Sequence, residues 1–279
     1  MNAQLAPLSP TRGYIGGGNI AGILGVSPFK TPLAEYLTIT GEVPEEISPQ
    51  QAEFFEDRRD LEPWAAKKFT RKTGLKVVRV NHRYDDLHFP WAKAEIDFEP
   101  EDGGNGETKT VHPNAVRDWG DPDEEEEPPI YVTAQAMWGL GVTGRAHVYV
   151  QALIGFDDYR LYRIERDDNL ITEIRRQALR FWKYHIEPRR PPQPTNVDDV
   201  LRLYARDTGR AVEADPEIRA AVADMVTERQ VIALHTARKE QHEFRIKAFM
   251  RDATTLLVHG QPAITWKARA DGVRVFRIR

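Results

Sequence analysis

The chain has 279 residues, 39 Lys+Arg against 43 Asp+Glu, a formal net charge of −4 and no cysteine. The missing cysteine excludes disulfides, thiolate zinc sites, Cys-ligated iron–sulfur clusters and a cysteine nucleophile. The slight acidity argues against a generic cationic coat for nucleic acid, though not against a local basic track. Forty-one per cent apolar residues over this length suffices for a sizeable core, as one large domain or two smaller ones.

A mean hydropathy of −0.56, with no apolar run near the ~18 residues a span needs, predicts no membrane segment. The first residues, MNAQLAPLSPTRGYIGGG, hold no apolar stretch behind a basic one, so a cytoplasmic location is expected.

In chain order, NIAGILG after the Gly16–Gly18 run has helical apolar spacing, and SPFKTP breaks it. LAEYLTITG predicts a short amphipathic helix closed by Gly41. A longer helix is predicted from Pro49 to Thr73, with apolar positions at Phe54, Phe55, Leu61, Trp64, Ala65 and Phe69, and Gly74 closes it. The period then changes to two. LKVVRV is β-rich, AKAEIDF alternates, and GETKTV follows the turn-prone PEDGGNG, so a hairpin or meander is expected. PPIYVTAQAMWGLGV predicts a helix, RAHVYVQALI and YRLYRIER predict strands, and residues 168–186 predict an amphipathic helix stopped by PRRPPQP.

That proline-rich stretch predicts a boundary, with a core over 1–194 and an extension over 195–279 packing on it. Asp215-Pro216 reads as a helix N-cap with Pro at N1, opening a long helix towards Met250. Its apolar positions, among them Ile218, Val222, Met225 and Ile232, hold no strict heptad, which favours packing over a coiled coil. AITWKA and VRVFRI around Ala-Asp-Gly predict a terminal hairpin.

The segment most informative about chemistry is Ala94-Glu95-Ile96-Asp97, nine intervening residues, then Glu107-Thr108-Lys109. On a strand Glu107 and Lys109 share a face and Thr108 points away. A hairpin that brings Asp97 beside them gathers two carboxylates and an ammonium. Two hard oxygen donors suit Mg²⁺ or Mn²⁺, and a lysine there orients or deprotonates a water, or offsets transition-state charge. The same spacing also fits a solvated hairpin with ordinary surface charges.

The surroundings favour the chemical reading. Ile15-Gly16-Gly17-Gly18-Asn19-Ile20-Ala21-Gly22-Ile23-Leu24-Gly25 with Ser27-Pro28-Phe29-Lys30-Thr31-Pro32, Leu61-Glu62-Pro63, the Asp97…Glu107-Thr108-Lys109 core, Pro129-Ile130-Tyr131 through Gln135, Val142-Thr143-Gly144, Phe181-Trp182 and Ile264-Thr265-Trp266-Lys267 occur in one order. In that order and spacing the chain resembles the YqaJ-type and lambda-type phage recombination exonucleases of the PD-(D/E)XK superfamily.

The resemblance implies an α/β fold, a central mixed sheet flanked by helices, with a C-terminal helical arm and β-hairpin. It implies Asp97 as the central metal ligand, Glu107 as the second, the Thr108 carbonyl as a further contact and Glu62 as an approach through water or directly. Lys109 would orient the attacking water, and Gln135 would support Lys109 or the scissile strand. Arg12 and Asn19 stand where the family binds the 5′ end of DNA, where a terminal phosphate would also meet a helix N-terminus. Two Mg²⁺ or Mn²⁺ ions, double-stranded DNA ends, a single-strand annealing protein and a ring-shaped homo-oligomer are the implied cofactors and partners. The implied activity is metal-dependent hydrolysis of linear duplex DNA, 5′ to 3′. An endonuclease or repair nuclease of the same fold, or a non-catalytic DNA-binding scaffold, are the alternatives. Three positions depart from the pattern: Arg58 replaces a glycine four residues before Glu62, Met137 a second glutamine, and Asn19 a serine or aspartate.

Other features have plainer readings. Ala21 occupies the last glycine position of a dinucleotide fingerprint, and no Gly-Lys-Ser/Thr follows the glycines. The eight histidines show no zinc spacing; His112, three residues after Lys109, is the one of interest. Arg175, Arg176, Arg180, Lys183, Arg189 and Arg190 form the most basic stretch, fit for phosphate or a solvated helix face. Glu124–Glu127 predicts an exposed loop, and Trp64, Trp91 and Trp138 predict core positions.

Overall fold

The computed structural model describes residues 13–42, 48–121, 126–155 and 157–279. The chain divides into two compact units, Met1–Arg206 and Asp207–Arg279.

The first unit opens with three helices, α1 (Gly17–Ile23), α2 (Pro32–Thr40) and α3 (Pro49–Thr73). Thr31 caps α2 by accepting from the Ala34 N–H, Pro32 fills the first turn, and Gly41 ends the helix at φ 68° as a left-handed stop. Strands β1 (Val77–Asp85), β2 (Lys93–Pro100) and β3 (Asn105–Val111) follow, then a 3-10 turn Pro113–Asp118, α4 (Ile130–Thr143), and strands β4 (His147–Ile154) and β5 (Asp158–Glu165). Helix α5 (Asp168–Phe181) runs into a π turn over Trp182–Ile186, and α6 (Val197–Leu203) closes the unit.

The sheet order is β1-β2-β3-β4-β5. All neighbours are antiparallel except β3 and β4, which pair in parallel from Asn105↔Val148 to Val111↔Ile154. A parallel pair needs a crossover, and α4 supplies it. Val132, Met137, Trp138 and Leu140 of α4 are buried with Val148, Val150 and Ala152 of β4 in the main core. A second cluster joins Phe69 of α3 to Phe98 and Tyr149, so α3 and α4 bury different surfaces of the sheet. The mixed α/β architecture is the expected one.

One irregularity positions the site. Strands β2 and β3 pair only at Phe98↔Gly106, and beyond that point they diverge. Ile96 packs into the main core while Phe98, two residues on, packs into the second cluster. Residues i and i+2 of a flat strand share a face, so β2 twists sharply at Asp97.

In the second unit, Asp215 caps α7 (Pro216–Met250) by accepting from the Ile218 N–H, with Pro216 at N1. Strands β6 (Thr255–Val258), β7 (Gln261–Ala268) and β8 (Arg274–Ile278) form an antiparallel sheet in that order. The expected hairpin is therefore three-stranded: Thr255–Val258 is too short to show a period of two, yet it pairs with β7 from Thr255↔Thr265 to Val258↔Gln261. Trp64 also differs from expectation. Trp138 is buried and Trp91 stacks on Trp182 at 5.0 Å, but Trp64 is 43% exposed. No helix among the described residues is long and apolar enough to cross a membrane.

Candidate active site

The divergence of β2 and β3 leaves the Thr108 N–H without a ladder partner. It donates instead to Asp97 Oδ2 at 2.7 Å. A strand residue's N–H and C=O point to the same neighbour, so the Thr108 carbonyl faces the gap that holds Asp97. On the other face Glu107 and Lys109 point together as their spacing predicts, with Lys109 Nζ 2.7 Å from Glu107 Oε1.

Gln135, on α4, closes the group. Its Oε1 accepts from Lys109 Nζ at 2.8 Å and its Nε2 donates to Glu107 Oε1 at 2.7 Å. The β3–α4–β4 crossover thus lays one helical side chain across an ion pair on the adjoining strand. Thr108 is held from the opposite face, where its hydroxyl accepts from Gln151 Nε2 at 2.8 Å, and Gln151 Oε1 accepts from the Tyr159 hydroxyl.

The charges are strongly coupled. Burial, then the neighbouring Glu107 carboxylate and more weakly Glu62, push the Asp97 carboxyl well above the usual range; the Thr108 N–H and Lys109 offset only part. For Lys109, burial favours the neutral amine, but the charge and hydrogen bond of Glu107 and the charge of Asp97 outweigh it. Its pKa is raised. Lys109 is therefore an ammonium at neutral pH, a donor rather than a base.

Glu62 lies on α3, half-buried, and its Oε2 accepts from Asn81 Nδ2 at 2.6 Å. It acts on Asp97 through its charge rather than by contact. Asn19 sits at the start of α1, its Oδ1 accepting from the Gly16 N–H at 2.9 Å and its Nδ2 donating to Glu35 at 2.7 Å. Ile15 pins this segment to β2 through Ile15 N to Trp91 O and Lys93 N to Ile15 O. The two regions meet in a cleft of about 310 Å³ shared by Gly16–Gly18, Asn19, Asp97 and Gln135. Gly17 approaches Gln135 so closely that a Cβ there would lie 3.2 Å from its Cγ. Arg12, the side chain of Arg58 and residues 124–125 of the acidic run lie outside the described residues.

Sequence reasoning missed Tyr14, Arg83 and Lys93, which line this cleft together with Glu95, the ion-pair partner of Arg83 at 3.5 Å. Arg83 and Lys93 both lie over the Tyr14 ring, at 5.4 and 5.6 Å. Only the β1–β2 register that sets Arg83 opposite Glu95 brings them there. His112 has a local role, its Nδ1 accepting from the Asn114 N–H at the start of the 3-10 turn. Much of the basic stretch on α5 and the π turn after it is neutralised: Arg175 pairs with buried Asp86, Arg176 with Glu173 and Lys183 with Glu187.

Asp97, Glu107 and the Thr108 carbonyl are hard oxygen donors of the type divalent cations take. Among the described residues no cluster of three or more His, Asp or Glu side chains is assembled to hold a metal. Two carboxylates with further coordination left to water and substrate is the arrangement Mg²⁺ prefers over an all-protein cage.

Residues 9–146 match the YqaJ-like viral recombinase domain, a range that contains Glu62, Asp97, Glu107, Thr108, Lys109 and Gln135. The chain carries a YqaJ-like viral recombinase domain. Over 248 residues it is 28% identical to the uncharacterized protein YqaJ of Bacillus subtilis (strain 168), covering 86% of this chain and 76% of that one. Among solved structures it is similar to an alkaline exonuclease (LHK-Exo) from Laribacter hongkongensis, with 23% identity, 62% of this chain and 88% of that chain covered and a TM-score of 0.49. It is also similar to a phage related exonuclease from Haemophilus somnus 129PT, with 15% identity, 61% and 92% covered and a TM-score of 0.43.

Proposed function

We propose that the chain is a metal-dependent DNA exonuclease acting on linear double-stranded DNA from the 5′ end, in recombination of the phage type. The observation that carries this reading is the Lys109–Glu107–Gln135 triangle set beside Asp97 where two strands part. Asp97, Glu107 and the Thr108 carbonyl are the residues that would hold Mg²⁺ or Mn²⁺, with Glu62 approaching from α3. A divalent ion there supplies an activated water and offsets charge on the scissile phosphate.

The remaining work falls to the chain's own groups. Lys109, held as an ammonium, donates a hydrogen bond to the water or to a phosphate oxygen and stabilises the charge that develops in the transition state. Gln135 fixes the Nζ position through its carbonyl and keeps Glu107 from swinging into the cleft through its amide. Asp97 is held by the Thr108 N–H, so its second oxygen stays directed into the gap. Hydrolysis displaces the 3′ oxygen in line and leaves a 5′-phosphate. Arg12 and Asn19 are the proposed contacts of the 5′ end, and two ions, a ring-shaped oligomer and a single-strand annealing partner complete the reading.

The test is a time course with Mg²⁺ on end-labelled linear duplex, with and without a 5′-phosphate, alongside closed circular duplex. The reading expects mononucleotide release from linear DNA and none from circles. Cleavage of circles would make the protein an endonuclease. No hydrolysis of any DNA with Mg²⁺ or Mn²⁺ would favour a scaffold.

A further inference from the structure

Helix α3 carries a second feature beyond Glu62. Trp64, Lys67 and Arg71 recur at three- and four-residue spacing and so form one stripe. Across from them run Lys76, Val77 and Val80, the last two on β1, an edge strand of the sheet. Between α3 and β1 lies an open groove of about 810 Å³.

The lining contains three cations and no carboxylate, in a chain whose net charge is −4. The Lys67, Arg71 and Lys76 side chains have no hydrogen-bond or ion-pair partner among the described residues, unlike the paired cations of α5 and the π turn after it. Trp64 presents its indole to the groove. Lys68 Nζ lies 5.7 Å from the Trp64 ring and 5.4 Å from that of Tyr159, outside the groove lining. Pro63 also lines the groove and directly follows Glu62, whose charge reaches Asp97. The groove thus shares helix α3 with Glu62, one of the residues of the proposed hydrolytic centre.

We propose that this groove binds single-stranded DNA, with phosphates on Lys67, Arg71 and Lys76 and a base stacked on Trp64. A positive track with an aromatic platform is how proteins hold single strands without reading sequence. An extended polypeptide added to the edge of β1 would bind through backbone hydrogen bonds and would leave the cation–indole stripe without a role. The link of this groove to hydrolysis rests on the nuclease reading; the binding itself does not.

The experiment is fluorescence anisotropy of a labelled oligo(dT) with the full chain in EDTA, at several salt concentrations. Trp64→Ala is expected to weaken binding about tenfold. The Lys67→Ala/Arg71→Ala pair is expected to lower the slope of log affinity against log salt by about 1.4, or ~0.7 per lost contact. Lys67→Arg/Arg71→Lys keeps the charge and is expected to keep the slope. Unchanged affinity and slope in both alanine variants would overturn the proposal. So would alanine variants that spare the oligonucleotide but lose binding of a poly-glutamate peptide. Hydrolysis of linear duplex in Mg²⁺ is scored separately on the wild type. An active enzyme with no groove dependence overturns the groove alone, and an inactive protein whose groove binds oligo(dT) overturns the nuclease alone.

Discussion

Gln135→Leu nearly preserves side-chain volume while removing both hydrogen bonds that the Gln135 side chain makes from α4 to β3. Each is made to a charged group, Lys109 at 2.8 Å and Glu107 at 2.7 Å, and bonds of that kind contribute about 1.5–3 kcal/mol. The full sum is not lost, because Lys109 and Glu107 stay bonded to each other and the Lys109 side chain is 24% exposed, which lets water replace part. A destabilisation of about 2 kcal/mol follows, lowering the Tm of the N-terminal unit by about 4–8 °C. Hydrolysis suffers more, by about a hundredfold, since an Nζ released from its second tether moves on the scale that costs positioned catalysis that much. A titration separates positioning from general damage. Glu107 and Asp97 hold the Lys109 proton against burial, and Gln135 carries no charge. NMR titration of Lys109 is therefore expected to give a somewhat lower pKa in Gln135→Leu, which loses one acceptor of the ammonium, and a much lower one in Glu107→Gln. Wild-type hydrolysis by Gln135→Leu, or a Lys109 pKa that falls as far as in Glu107→Gln, would refute the reasoning.

Four further outcomes are expected. Burial and the charges of Glu107 and Glu62 raise the native Asp97 pKa above its unfolded value, so stability is full below the ordinary carboxylate range and declines as pH rises through the native pKa. Asp97→Asn removes that decline, so its urea midpoint should exceed the wild type's at pH 8, the gap closing in acid; a lower midpoint at pH 8 contradicts the sign. Mg²⁺ at a hundred times its Kd should stabilise the wild type by about 2.7 kcal/mol and the Asn variant less. Gly106→Ala would set a Cβ 2.4 Å from the Phe98 ring, itself packed on Phe69 at 4.8 Å, for a cost of about 1–3 kcal/mol in chemical denaturation. Arg145→Met leaves the Glu99 carboxylate, 7% exposed, without the guanidinium 2.6 Å away; Arg79 and the Tyr84 hydroxyl still face it, so the cost should be at the low end, about 2–3 kcal/mol, with partial recovery when Glu99→Gln is added.

Much of the site could be read from local pattern. Glu107 and Lys109 on one face follow from a period of two, and Gly41, Asp215 and Pro216 act as their residue types require. Gln135 emerged only from the order of motifs, because nothing in IYVTAQAMWGLGVT marks one glutamine as facing a strand. The parting of β2 from β3, which frees the Thr108 N–H for Asp97, has no local signature: it is set by a twist that carries Ile96 and Phe98 into different clusters. Trp64 was misread for a related reason. An aromatic in an apolar run suggests the core, but Trp64 stands about 140° round the helix from buried Phe69, and the edge strand opposite leaves a groove there where packing was expected. Tyr14, Arg83 and Lys93 converge only through strand register, and α6 rests on the Asn196 cap, where Asn196 Oδ1 accepts from the Asp199 N–H.

The crossover between β3 and β4 also imposes an order in time. Asp97, Glu107 and Lys109 leave the ribosome together, whereas Gln135, 26 residues after Lys109, follows roughly one to five seconds later at ordinary synthesis speeds. The parallel partner β4 comes later still. Until both have arrived, the nascent chain holds an acid pair and a lysine with nothing to keep them in register. On the proposed nuclease reading the chain is thereby silent while it is being made, and becomes competent only when the helix has crossed over.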